Sequence, residues 1–473
     1  MKPDFDFVVA GTGAGGAAAA ARLAEGGARV AVLEPGPRAT PQPDGTRAVA
    51  LYYANAGLTA GFGNGLFPVA VGRTVGGTTT INSGTCLRPP IDAVARWERT
   101  IPGFDAAAFR ADVEDVWRTL RVKTVPAERA GASTQLLFRG LERLGVSGAH
   151  YLDRAEDGCA GDGRCCFVCP SGAKATAASA FLEPALKTGN VELKAGWRLV
   201  EAIPARRGGL AGARVAGPNG ERRTLGARGV ILACGSLATP YFLRRIGASA
   251  GDGLTIHPAA KVFARFDETV EGWRGVPQAG GFLDPEAPRL RFEGAFVPPE
   301  MAPLTIPLEG RRLRAWIEAY ANVASFGFLV RDAGRGSVLH PVGADMPFIR
   351  YTLADEDLRL MTRGMRTVAR AYLAAGARKV LLPLNRPDNE IETPRALDAF
   401  DWESVRAAEL QLMGFHPLGT AGLGRVVGSD LAAAPGVYVC DGSVVPESLG
   451  VNPQVTIYAF ALGLARRLLG GRA

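Results

Sequence analysis

Long hydrophobic runs are missing from this 473-residue chain: no stretch reaches the roughly 18 consecutive apolar residues that a helix needs to cross a bilayer. That excludes a helical membrane span. A charged-then-apolar leader is missing as well, since the chain enters a strand at Phe5, and a cytoplasmic location is the expectation. The net charge is +8, yet the arginines are scattered and form no basic tract interleaved with aromatics, so nucleic acid is not an expected partner. Histidine is scarce, with four in the chain, and none stands at ligand spacing beside a cysteine, which argues against zinc. Cysteine is present in an odd number, seven, with four crowded between Cys159 and Cys169 and with Cys86, Cys234 and Cys440 single. That is not the framework of a disulfide-stapled secreted domain. Internal repeats and low-complexity segments are absent too. What is there is globular: 47% hydrophobic residues over a length that allows two or three domains with large cores.

The opening reads as strand, tight turn, helix and strand: Phe5 to Ala10, then Gly11-Thr-Gly-Ala-Gly-Gly16, an Ala-rich helix from Ala17, and Arg29 to Leu33 closing on Glu34. Glycine is needed where the backbone turns sharply and approaches a phosphate, and the helix N-terminus supplies N–H donors to that anion. An acidic residue at the end of the second strand suits unphosphorylated ribose hydroxyls. The turn, with Gly11, Gly13, Ala14 and Gly16, therefore predicts a dinucleotide site, and by itself it does not separate FAD from NAD. A second Gly-rich stretch, residues 71–84, is too rich in glycine and hydroxyls for a plain strand and predicts a loop running into a helix beside a ligand.

Further along, Asp105 starts a helix carrying Val113, Val116, Trp117 and Leu120 at helical spacing. Residues 229–247 read as buried strand, Gly-Ser turn and helix, so the nucleotide-binding part resumes late in the chain. Lys261 to Phe266, Leu313 to Ala321 and Ser325 to Val330 predict an antiparallel sheet, and Leu358, Met361, Met365, Val368 and Tyr372 mark a long helix ending at Gly376. Trp273, Phe282, Phe292, Trp316 and Phe326 read either as pocket lining or as plain core.

The order Gly72-Arg-Thr-Val-Gly-Gly-Thr-Thr-Thr-Ile-Asn82, Arg88, Ala233-Cys-Gly-Ser-Leu-Ala-Thr-Pro240, His416-Pro-Leu-Gly419, Asp441-Gly-Ser443 and Asn452-Pro-x-x-Thr456 resembles the glucose-methanol-choline (GMC) oxidoreductases. The branch most similar is that of bacterial cholesterol-oxidase-like enzymes and FAD-dependent sugar and alcohol dehydrogenases. The chain departs from the pattern at Thr78, where serine is usual, and at Ser83, where glycine is usual. The resemblance implies FAD and an α/β fold, a Rossmann-like FAD-binding domain with an inserted α+β substrate domain on an antiparallel sheet. The expected division is 1–95, 190–262 and 415–473 for FAD, with 96–189 and 263–414 for the substrate-binding cap. It also implies that Glu34 holds the adenosine ribose, that the Gly11 to Gly16 turn and Asp441 serve the pyrophosphate and ribityl region, and that Asn82, Ser83 and Gly84 pass near flavin N5. Arg73, Gly77, Thr78, Ala233, Gly442, Asn452, Pro453 and Thr456 complete the implied contacts. Val200 reads either as an adenine contact or as a core strand residue.

The implied activity is oxidation of a small-molecule alcohol, in which the hydroxyl proton leaves and the carbon-bound hydrogen moves as hydride to flavin N5. His416 is the candidate base, because imidazole is largely neutral at pH 7. Asn452 offers a carbonyl and an amide to orient the hydroxyl or steady a developing alkoxide. His257 opens a His-Pro-Ala-Ala turn and reads as structural, and His150 and His340 read as exposed loop residues. Flavin-containing lyases share the scaffold and stand as an alternative.

The segment 157–174 carries Cys159-x5-Cys165-Cys166-x2-Cys169-Pro170. Thiolates in a turn-rich segment followed by proline can wrap an iron-sulfur cluster. The spacing is similar to that of family dehydrogenases with a three-iron (3Fe-4S) cluster, in which Cys159, Cys165 and Cys169 would be ligands and Cys166 the extra thiol. Electrons would then pass to a redox partner protein or quinone, with the chain as an electron-transfer dehydrogenase subunit. Without a cluster, the segment is a compact loop near the flavin, held by a disulfide or by its small residues, and oxygen is the other candidate acceptor.

Overall fold

The structure, a computed structural model, describes residues 3–206, 209–341 and 346–470. Strand β1 (Phe5–Ala10), helix α1 (Ala14–Glu25) and strand β2 (Val30–Glu34) form the expected unit. β1 pairs in parallel with β2 on one side and with Arg222–Leu232 on the other. Val191–Ala195 adds beyond β2, and Val437–Val439 beyond Arg222–Leu232, both in parallel. Val8, Val9, Val32, Val230 and Ile231 are fully buried, as apolar runs in a parallel sheet covered on both faces must be. Because α1 is mostly alanine, it lies flat on this sheet and against the last helix, Gln454–Gly470.

The core on this side extends beyond the expected segments. Helices Ile91–Thr100 and Ala106–Thr119 close on the last helix through a cluster of Trp97, Phe104, Phe109 and Phe460, with Phe109 and Phe460 centroids 4.9 Å apart. Asp105 caps the second of these helices by accepting from the Ala108 N–H at 2.9 Å.

The second sheet is antiparallel throughout. Pro258–Arg265 pairs with Val323–Val330, which pairs with Leu290–Glu293, then Gly280–Leu283 and His150–Tyr151. Strand Pro258–Arg265 is continuous across position 262. Helix Asp355–Ala375 covers one face and stops at Gly376, whose φ of 105° is open to glycine at little cost. Phe282 and Phe292 stack at 4.0 Å and are core, as are Phe326 and Trp316. Trp273 stacks on Tyr320.

Two expectations fail locally. Leu313 to Ala321 is not a strand: Gly310–Glu318 is a helix, with Leu313, Trp316 and Ile317 at helical spacing packing toward Phe263 and Phe296 while Arg311 and Arg314 point outward. His340 is not exposed, since its ring lies half-buried against Tyr241. A third sheet, of Ala60–Phe62, Leu66–Pro68, Asp252–Leu254, Arg335–Leu339 and Phe348–Thr352, left no sequence signal because its strands are short and carry glycine. Among the described residues no helix is long and apolar enough to cross a membrane.

Candidate active site

The first Gly-rich turn is shaped by close approach. A Cβ on Gly11 would stand 2.1 Å from the Ala233 carbonyl oxygen, one on Gly15 1.8 Å from the Cys440 oxygen, and one on Gly16 2.0 Å from the Gly11 oxygen. Gly13 differs: a Cβ there would meet nothing within 4 Å. Gly13 is also the N-cap of α1, and no side chain caps that helix. An open position at an uncapped helix N-terminus, with Ala14 next in line, is a donor set for an anion such as a pyrophosphate. Glu34 is buried, and its carboxyl is raised by that burial although three donors oppose the shift. Those donors are the Thr12 hydroxyl at 2.6 Å, the Gly36 N–H at 2.9 Å and the Thr12 N–H at 3.3 Å, which leave one of a carboxylate's four or so acceptor sites.

Thr12 also links the two Gly-rich turns, since its Oγ1 accepts from the Gly76 N–H at 3.0 Å. Gly77, at φ 55°, packs so closely on Gly13 that a Cβ would lie 2.8 Å from the Gly13 Cα. Thr78 accepts from the Gly72 N–H at 3.0 Å, and Arg73 lies exposed with its charge near Glu34. Arg88 pairs with Glu114 and stacks over Trp117 at 3.8 Å. Asp441 takes the Gly235 N–H at 2.9 Å, the Thr239 hydroxyl at 2.5 Å and the Ser443 N–H at 2.8 Å, so it ties the turn after Ala233 to the C-terminal segment. Gly442 is buried beside Ser236 and Pro417. Among the described residues Thr456 Oγ1 is buried with no hydrogen-bond partner, and Pro453 is buried between Asn452 and the last helix. Val200 is half-buried on strand Arg198–Ile203 at a register shift against Ala211–Ala216. The open Gly13 position, the uncapped helix and the orphaned Thr456 hydroxyl together fit a dinucleotide with a polar ring system.

Asn82, Ser83 and Gly84 are tied inward. Asn82 Nδ2 donates to Gln454 Oε1 at 3.2 Å, and the Gly84 N–H donates to Asn82 Oδ1 at 3.0 Å. Ser83 and Thr85 hydroxyls both donate to Gln278 Oε1, and Gln278 Nε2 donates to Glu293 at 2.9 Å. Behind this loop Lys174 donates to three carbonyls, Thr80 at 2.9 Å, Asn82 at 2.7 Å and Cys165 at 2.8 Å. Burial pulls its ammonium down to about 8. Arg154, also buried, donates to the Ser83 carbonyl and to Cys165 Sγ.

His416 and Asn452 meet. His416 Nε2 is 3.5 Å from one end of the Asn452 amide, and the other end is 2.9 and 3.2 Å from the two Glu293 oxygens, which fixes the NH2 on the Glu293 side. His257, expected to be structural, is buried against His416: its Nδ1 stands 2.9 Å from His416 Nδ1. Its Nε2 accepts the Leu449 and Gly450 N–H groups, each at 3.0 Å. Burial, then the Arg331 and Arg291 cations, pulls His257 down to about 3, and burial, then His257, holds His416 well below the usual imidazole value. Sequence reasoning missed Glu293, Gln278, Gln454 and Lys174. An acid closing the short strand Leu290–Glu293, beside the apolar Leu290 and Phe292, was the available signal for Glu293.

The four thiols at 159–169 face separate neighbours. Among the described residues no three His, Cys, Asp or Glu side chains gather as a metal would need. Cys165 turns inward to Arg154 at 3.2 Å, Cys159 packs with Val125, Val276 and Ala279, Cys166 packs near Tyr53, and Cys169 faces the Ser171 hydroxyl at 3.4 Å. The segment is clamped to Thr80–Ser83 by Lys174 and Arg154.

Family models described as GMC oxidoreductase match residues 6–259 and 335–461. An uncharacterized GMC-type oxidoreductase of Mycobacterium tuberculosis is 34% identical over 97% of this chain and 75% of its own length. A long-chain-alcohol oxidase of Arabidopsis thaliana is 27% identical over 99% of this chain and 67% of its own length. Among solved structures, pyridoxine 4-oxidase from Mesorbium loti is similar in fold, with a TM-score of 0.68 at 18% identity over 98% of each chain.

Proposed function

This chain belongs to the GMC oxidoreductases, and from that premise we propose that it oxidises an alcohol at a bound FAD, with oxygen as the electron acceptor. One observation carries the reading: His416 and Asn452 lie within 3.5 Å of each other, and Gln454, two residues on, holds Asn82 of the second Gly-rich loop. The groups suited to an alcohol oxygen and the loop suited to a flavin thus adjoin. FAD supplies the acceptor for the carbon-bound hydrogen. The protein's own part is to keep His416 neutral at pH 7, present its Nε2 and the Asn452 amide to the alcohol oxygen, and anchor Asn452 through Glu293.

Oxygen is favoured over a protein or quinone because the thiols at 159–169 are directed into separate contacts and because the Arabidopsis relative is named as an oxidase. The domain division we propose assigns residues 91–119 to the FAD side, where Trp97 and Phe109 pack on Phe460. The test is anaerobic mixing of the flavin-loaded protein with aliphatic, aromatic, sugar and sterol alcohols. Bleaching of the flavin band by at least one class, reversed on admitting oxygen, is expected. Absence of bleaching across all classes would overturn the reading.

A further inference from the structure

We propose that His257 is a positioning residue that fixes the tautomer of His416, holding the His416 proton on Nε2 and so making that nitrogen a hydrogen-bond donor toward the substrate oxygen. The role toward a substrate rests on the reading of His416 and Asn452 given above; the tautomer itself does not.

Two backbone N–H groups, of Leu449 and Gly450, converge on His257 Nε2 at 3.0 Å each. A nitrogen that receives two donors presents its lone pair, and a neutral imidazole carries a single N–H, so the His257 proton is on Nδ1. His257 Nδ1 and His416 Nδ1 are 2.9 Å apart, a separation that accommodates one hydrogen and not two. That hydrogen belongs to His257. His416 Nδ1 is therefore an acceptor, and the proton of neutral His416 is on Nε2. Burial keeps both rings neutral, helped by the neighbouring Arg331 and Arg291 cations at His257.

A second chain of contacts, starting from a different strand, reaches the same polarity. The Glu293 carboxylate can only accept, so the Asn452 NH2 faces it, and the amide end 3.5 Å from His416 Nε2 is the oxygen. An Nε2–H opposite an amide oxygen is a matched pair, whereas an Nε2 lone pair would face another acceptor. His257 is also held in place under strain. Its φ of 49° lies in the left-handed region that non-glycine residues rarely enter, and buried Asp332 keeps it there by accepting the Ile256 N–H at 3.0 Å and the His257 N–H at 3.3 Å. His416 Nε2 accordingly stands opposite the Asn452 amide oxygen with a proton on it in the resting protein, before any alcohol is bound.

The experiment is a proton–nitrogen correlation spectrum of the full-length, flavin-loaded protein labelled at its histidine nitrogens. The four histidines are assigned by replacing His150 and His340 with Gln. His416 is expected as the Nε2–H form and His257 as the Nδ1–H form; a His416 proton on Nδ1 in the wild type overturns the proposal whatever the variants do. In His257→Asn the side-chain NH2 takes over the donor and His416 stays Nε2–H. In His257→Asp the carboxylate demands a proton from His416 Nδ1 and the tautomer reverses, with alcohol-driven flavin reduction falling by about 10²-fold, the loss of one oxyanion donor. An identical tautomer in the two variants also overturns the proposal. The spectrum needs no substrate, so failure of every alcohol to bleach the flavin would remove the alcohol reading while the tautomer result stood.

Discussion

The Asn452 amide sits 2.9 and 3.2 Å from the two oxygens of Glu293, a residue 159 positions earlier and fully enclosed in the antiparallel sheet. Burial lifts the Glu293 carboxyl above its usual range, and the NH2 groups of Asn452 and Gln278 are what it meets there. Each side of the Asn452 amide is thereby spoken for, one by an acceptor and the other by His416.

Glu293→Gln removes the group that can only accept and lets the Asn452 amide turn. Loss of a hydrogen bond to a charged group corresponds to about 1.5–3 kcal/mol, so alcohol-driven flavin reduction should slow by about 10- to 100-fold with FAD content unchanged. Stopped-flow reduction under anaerobic conditions measures this. Wild-type rates in the variant would show that Glu293 does not hold Asn452.

Two glycines two residues apart should behave oppositely. Gly15→Ala puts a methyl group 1.8 Å from the Cys440 carbonyl oxygen, so the helix must move off the sheet and the protein should lose several degrees of melting temperature or fail to accumulate. Gly13→Ala meets nothing within 4 Å and should fold normally, yet leave the protein with little FAD because the methyl group occupies the phosphate's approach. Thermal melts and flavin-to-protein ratios separate the two; full flavin content in Gly13→Ala would contradict the site.

His257 should make stability fall with acid. Its folded value of about 3 lies below the ordinary value near 6.5, so the unfolded chain binds the proton first. The stabilisation is complete above about pH 6.5 and is lost as pH falls toward the folded value. Between pH 7 and pH 5 the loss from this residue is about 2 kcal/mol. Denaturant unfolding at both pH values should show that increment in the wild type and its absence in His257→Asn. Equal slopes would mean that His257 is not held neutral.

Among the thiols, Cys169 should react first. Burial works against its ionisation, but the Ser171 hydroxyl, the Lys174 backbone and the Lys174 charge outweigh it and leave the thiol below its ordinary value. Cys86, Cys234 and Cys440 are pushed up by burial, Cys86 to about 12. Timed alkylation near neutral pH, read by peptide mass, should label Cys169 well before those three. Stoichiometric iron in the purified protein, or uniform protection of Cys159, Cys165 and Cys169, would point back to a cluster.

Much of the fold was legible because its signals are local. The Gly11 to Gly16 turn between two apolar runs specifies a βαβ unit, Asp105 a helix start and Gly376 a helix end, each through the conformational preferences of one or a few residues. The segment Leu313 to Ala321 misled because a short alternation of apolar and polar residues is compatible with strand and helix, and the apolar face that Phe263 and Phe296 offer made the choice. The short strands of the third sheet were silent for the same reason, since pairing partners nearly 300 residues away decide them. In the site, His416 and Asn452 were legible as motif residues, whereas Glu293 and His257 acquire meaning only from what they touch.

The sequence alone thus determined the dinucleotide turn and the chemical types available for an alcohol, because glycine, imidazole and carboxamide carry those properties wherever they stand. Tertiary structure decided the polarity of that chemistry. Which nitrogen of His416 holds its proton depends on a second histidine 159 residues away, and whether four thiols form a cluster depends on which neighbours each one faces. Hydrogen-bond direction and metal geometry are properties of atoms in contact, and residues far apart in sequence come into contact only in the folded chain.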